Sequence, residues 1–146
     1  MHIAGIWHKC DDGVIRPVLV ARVRTGDTSV VDETFLIDSG ADRTAFSAGL
    51  LSRIGATAMA EPSDSSLAGV GGFQPFVEVQ AVLELDIVAG GTATMKGNYA
   101  AFTDPGATDL SVLGRDVLNH FDVVMSRRRD EIALLAGNHR YDIRSV

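Results

Sequence analysis

Phe35-Leu36-Ile37-Asp38-Ser39-Gly40-Ala41-Asp42-Arg43-Thr44 decides the reading of this chain. An apolar run enters a carboxylate, a small hydroxyl residue and a glycine, followed by a second carboxylate and a second hydroxyl. The apolar flank predicts that Asp38 ends a buried strand. Gly40 permits a tight turn, and Ser39 can hydrogen-bond within it. Burying a carboxylate disfavours its charge, so such a position needs a reason. A turn-capping aspartate is the bland explanation. A catalytic carboxylate is the functional one.

Outward from this stretch, Val30 to Ile37 is a strand that delivers Asp38 to its end. Ile3 to His8 and Val14 to Val23 are expected strands, the second with an interruption or edge character near Pro17. Asp11-Asp12-Gly13 joins them as a turn. The rest of a calcium-loop ligand pattern is absent there. Thr44 to Ile54 fits a short helix with Phe46, Leu50 and Ile54 as a core stripe. Gly55 is its expected C-terminal cap. Glu61 to Ser66 is polar and reads as loop.

Leu67-Ala68-Gly69-Val70-Gly71-Gly72-Phe73 is the second informative stretch. A phosphate cradle would need a Lys-Ser/Thr and a helix after its glycines, and neither follows. A glycine-tipped hairpin is the better reading, either as a lid or as a tight turn. Phe76 to Leu85, Thr92 to Phe102, Leu110 to Gly114 and Phe121 to Met125 are expected strands. Arg115 to His120 is a short helix. Arg127-Arg128-Arg129-Asp130 reads as a charged hairpin tip, and Glu131 to Leu135 and His139 to Ile143 complete the set. Short helices, recurrent turns and β-branched runs predict a mostly β domain built from antiparallel hairpins.

The chain has 146 residues, enough for one domain with its own core, and we read residues 1–146 as that single domain. Asp plus Glu number 19 against 13 Lys plus Arg, and the formal charge of -6 argues against nucleic acid and anionic membranes as partners. No stretch is long and apolar enough to span a bilayer. Cys10 is the only cysteine, and Met1 to His8 lacks the pattern of a signal peptide, so the expected compartment is the cytoplasm. Cys10 has no Cys-His arrangement around it that would make it a nucleophile. His2, His8, His120 and His139 are scattered without metal-ligand spacing, and no metal or cofactor is expected. Ser39 lacks the Gly-x-Ser-x-Gly context of a serine nucleophile.

Taken together, these residues resemble the retroviral-type aspartic proteases and their bacterial and eukaryotic retropepsin-like relatives. Asp38-Ser39-Gly40-Ala41 is similar to the family's Asp-Thr/Ser-Gly-Ala motif, and Leu67 to Phe73 to its glycine-rich flap. Val112-Leu113-Gly114-Arg115-Asp116 is similar to its second apolar-apolar-Gly element and the Arg-Asp that opens its helix. The three occur in family order, and the resemblance spans roughly Val14 to Met125. It implies a retropepsin-like fold: a closed or highly curled antiparallel β domain with one or two short helices. It implies catalytic roles for Asp38, Ser39 and Gly40. Substrate would meet Ala41, Asp42, Gly69, Val70, Gly71, Gly72, Val112 and Leu113. Thr44, Gly114, Arg115 and Asp116 would give structural support, with Arg115 reaching back to Asp42.

The chemistry of this family needs two carboxylates about one water, with their proton affinities forced apart. Only one Asp-Ser/Thr-Gly motif is present, since Asp86, Asp104 and Asp122 lack that context. The expectation is therefore a homodimer that pairs two Asp38 side chains and hydrolyses a peptide or protein substrate. The rival is a noncatalytic or latent peptide-binding or dimerisation module on the same fold.

Overall fold

In this computed structural model, residues 1–26, 30–55, 60–69 and 72–138 are described, with backbone only for 60–69, 72 and 73. The strands are β1 (His2–Lys9), β2 (Ile15–Arg24), β3 (Val30–Ile37), β4 (Ala45–Phe46), β5 (Ala60–Gly69), β6 (Gly72–Asp86), β7 (Thr92–Phe102), β8 (Ser111–Leu113), β9 (Asp122–Ser126) and β10 (Glu131–Leu135). Two short helices interrupt them, α1 (Ala48–Ile54) and α2 (Arg115–Leu118). The strand order is β5-β6-β7-β4-β8-β3-β2-β1-β10-β9, and a further β2–β6 pairing curls the central part into a ring. Most pairings are antiparallel, but β3–β8 and β4–β7 are parallel. No helix among the described residues is long and apolar enough to cross a membrane.

Alternation explains why the ring holds a core. Val79, Ala81, Leu83 and Leu85 of β6 are buried, while their even-numbered neighbours Gln80 and Asp86 face water. They meet Phe35, Phe46 and Tyr99, with Phe46 edge-on to Phe35 at 6.0 Å and tilted against Tyr99 at 5.4 Å. The Phe46, Leu50 and Ile54 stripe lies in this core as expected. The parity of β6 reverses towards its start, where Phe76 joins Ala45 and Ala100 in a second, smaller cluster.

Three expectations are corrected. The helix begins at Ala48, because Ala45 and Phe46 pair with β7 and β8 and the Ser47 side chain caps the helix by accepting from Leu50 N at 3.1 Å. Glu61 to Ser66 belongs to β5 rather than a loop. β6 supplies its hydrogen bonds, and its irregularity between Pro62 and Ser66 suits a strand at the end of the sheet order. Of the two alternatives at Pro17, the interruption is the one corrected: β2 runs through it, and its edge character is observed, since Pro17 faces Trp7 of β1 while pairing with β3 starts one residue later at Val18. The hairpin tips at Asp11-Asp12-Gly13 and Arg127–Asp130 are turns as expected. The expected strand at His139 to Ile143 lies outside the described residues.

Gly114 fixes how closely two parts of this fold approach. A Cβ there would lie 2.8 Å from the Thr44 nitrogen and closer still to the Arg43 carbonyl. Backbone cannot yield as a flexible side chain can, so Gly114→Ala should destabilise the chain by about 2 kcal/mol or more. Urea unfolding of the variant measures this, and a loss under about 0.5 kcal/mol would contradict the packing described.

Candidate active site

Asp38 follows β3 directly. Phe35 and Ile37 point into the core, so Leu36 and Asp38 share the opposite face, where both are half-buried. The Asp38 amide donates to Leu113 O at 3.1 Å, which continues the parallel β3–β8 pairing by one residue. The Asp38 carbonyl accepts from Ala41 N at 3.2 Å and its Oδ1 from Gly40 N at 2.9 Å, closing a tight turn around the carboxylate. A Cβ on Gly40 would press against Asp38 Oδ1 at 3.1 Å. The glycine thus leaves the carboxylate room. Ser39 is exposed.

The second half of this loop is stitched to α2. Ala41 O accepts from Arg115 N at 2.8 Å and Asp42 O from Asp116 N at 3.2 Å. Asp116 Oδ1 accepts from Thr44 N, Thr44 Oγ1 and Val117 N at 2.8, 2.7 and 2.9 Å. Thr44 Oγ1, fully buried, accepts in turn from Gly114 N at 3.0 Å. The Arg115 guanidinium pairs with Asp42 as the resemblance implied. Both ends of that pair are largely exposed, so it orients the loop more than it stabilises it.

Among the expected substrate contacts, Ala41 and Val112 are half-buried beside the site, and Val112 stands opposite Leu36. The Leu113 side chain is fully buried in the core, and its carbonyl accepts from the Asp38 amide. Gly69 and Gly72 pair across the β5–β6 hairpin, while Val70 and Gly71 lie outside the described residues.

Two braces escaped the sequence reading. Arg43, next to Asp42, makes a bidentate pair with Glu78 on β6 at 2.7 and 2.9 Å, and its guanidinium lies 5.2 Å from the centre of the Phe76 ring. This ties the root of the β5–β6 hairpin to the Asp38 loop. Beneath the site, the buried Glu33 carboxylate accepts from Ser111 Oγ at 2.6 Å and Ser47 Oγ at 3.4 Å, and pairs with Arg53. It joins β3, β8 and α1. The partners are far apart in sequence, so no spacing announces either brace. Among the described residues, no group of three or more His, Cys, Asp or Glu is gathered as metal ligands would be.

A family model described as aspartyl protease matches residues 21–117. Among solved structures, the chain is similar to EIAV protease complexed with the inhibitor HBY-793, at 20% identity and a TM-score of 0.53, covering 71% of this chain and 86% of that one. It is also similar to a retropepsin-like aspartic protease from Rickettsia conorii, at 19% identity and a TM-score of 0.51, covering 92% and 88%. No curated protein matches the chain. The structural likenesses establish a retropepsin-like fold.

The Arg43–Glu78 brace carries a pH dependence. The Arg43 hydrogen bonds hold the Glu78 carboxyl below its ordinary value of 4.5. A lowered folded-state value means the link contributes fully above about pH 4.5 and is lost as pH falls through the lowered value. The protection of β6 amides against hydrogen exchange, taken relative to the intrinsic rate at each pH, should therefore fall on the order of a few-fold below pH 4. In Glu78→Gln that protection should already be low at pH 6, and equal protection-against-pH profiles for the two proteins would refute the link.

Proposed function

This chain belongs to the aspartyl protease family, and from that membership we propose that it is an aspartic endopeptidase whose active site forms between two copies. One observation carries the reading. Asp38 sits at the end of β3, half-buried, in a tight turn in which its Oδ1 accepts a hydrogen bond from Gly40 N. The sequence offers no second Asp-Ser/Thr-Gly turn to face it. A twofold axis supplies the missing partner, because it brings the same turn from another chain.

Two such carboxylates held close together cannot both ionise readily, so the pair shares a proton. The ionised member takes a proton from water, which attacks the scissile carbonyl. The protonated member donates a hydrogen bond to the oxyanion that forms. The proton then passes to the leaving amine. In this reading the β5–β6 hairpin is the flap. It lies over an extended peptide held by strand-like backbone hydrogen bonds, and its closure restricts water. In the same reading Ala41, Asp42 and Val112 contact the peptide, which their half-buried or exposed positions around the Asp38 turn support. The single cysteine suits a reducing, cytoplasmic setting.

Asp38→Asn should lower peptide cleavage by about 10³-fold or more while leaving self-association intact, read by a peptide-library assay alongside analytical ultracentrifugation. Full activity in a species proven monomeric would defeat the two-copy site. Peptide binding without Asp38-dependent cleavage from acidic to neutral pH would favour a noncatalytic module.

A further inference from the structure

A cavity of about 540 Å³ opens beside Asp38, between the β1–β2 hairpin and the segment that enters β8. Its inner wall is Leu36 and Leu110. Leu36 shares the Asp38 face of β3 and lies two residues away, about 7 Å along the strand. Val112, opposite Leu36, continues the same surface. The cavity is thus a side pocket of the cleft in which the peptide is proposed to lie. Its volume accommodates a long side chain.

The rim is unbalanced in charge. Arg16 is already engaged, with both Asp12 oxygens accepting from it at 2.8 and 2.7 Å. That pairing drives the Asp12 carboxyl down to about 2, so it persists into acidic solution. Asp11, on the β1–β2 hairpin, and Asp109, on the segment that enters β8, also line the cavity, as does His8. Both aspartates are exposed, and neither has an ion pair or side-chain hydrogen bond among the described residues. Asp12 offsets Arg16, which leaves Asp11 and Asp109 as two carboxylates without an ion-pair partner among the described residues, sharing the lining with His8 and with the apolar Leu36 and Leu110.

Resting on the endopeptidase reading, we propose that this cavity takes a lysine or arginine side chain of the substrate, within three residues of the scissile bond, and that Asp11 and Asp109 set that preference. The aliphatic stem of such a side chain covers Leu36 and Leu110 while its cationic head reaches the two carboxylates. A glutamate in the same place meets only like charge.

Matched peptides carrying lysine or glutamate at each of the three positions on either side of the scissile bond test this. At one of those positions lysine should be favoured over glutamate in kcat/KM by about tenfold, less at high salt. In the Asp11→Asn/Asp109→Asn double variant the ratio should fall to about one. An unchanged ratio in the double variant, or no lysine preference at any position, overturns the proposal. The same peptides titrated onto Asp38→Asn by calorimetry separate it from the reading beneath it. Tighter binding of the lysine peptide without Asp38-dependent cleavage by the parent protein sinks the endopeptidase and keeps the pocket. Equal binding of the lysine and glutamate peptides overturns the pocket even if cleavage occurs.

Discussion

Three hydrogen bonds converge on Asp116 Oδ1, two of them from Thr44, and Thr44 Oγ1 takes a fourth from Gly114. The rest of the site hangs on this knot. It binds the loop after β3 to the start of α2, two segments some seventy residues apart. Because Thr44 is fully buried, its amide and hydroxyl would be left without water or full recompense if their partners were removed, although Asp116 itself is exposed. Gly114 lets the two backbones come within bonding distance. With the loop anchored at its far end and Asp38 bound to Leu113 at its near end, the carboxylate has little freedom to wander.

The anchoring has a layered logic. Phe35, Phe46 and Tyr99 fill the space behind the loop and fix the strands by packing. Glu33, Ser111 and Ser47 tie those strands to one another through a buried polar network, which is directional where packing is not. Arg43 then carries the connection outward to β6 and so to the β5–β6 hairpin. Motion of that hairpin therefore bears on the same loop that holds Asp38. Under the proposed endopeptidase reading, this preorganisation would serve electrostatic catalysis, since a carboxylate that must first be positioned stabilises a transition state less.

Some of this was legible in the residues themselves. Asp38-Ser39-Gly40 needed no structure to be singled out, because an apolar run ending in a carboxylate and a glycine is a local pattern with a local cause. The same holds for the Phe46, Leu50 and Ile54 stripe and for the two charged hairpin tips. The expected Arg115–Asp42 contact came through resemblance, since no local rule links residues so far apart. The errors share one origin. Glu61 to Ser66 looks like loop because it is a polar run in the sequence, yet backbone pairing with β6 makes it part of a strand. Ala45 and Phe46 fit a helical stripe, yet two neighbouring strands claim their backbone first.

By itself, then, the sequence determined that Asp38-Ser39-Gly40 closes a turn at the end of a strand, that the two charged tips are turns and that the chain is mostly β, since each follows from near neighbours along the backbone. The tertiary structure decided that Leu113 faces the core, that Arg43 finds Glu78, and that Asp11 and Asp109 line one cavity. Those outcomes depend on strand register, and a shift of one residue would turn every side chain of a strand to its other face. Register is fixed by the packing of the whole ring, which no single stretch of sequence contains.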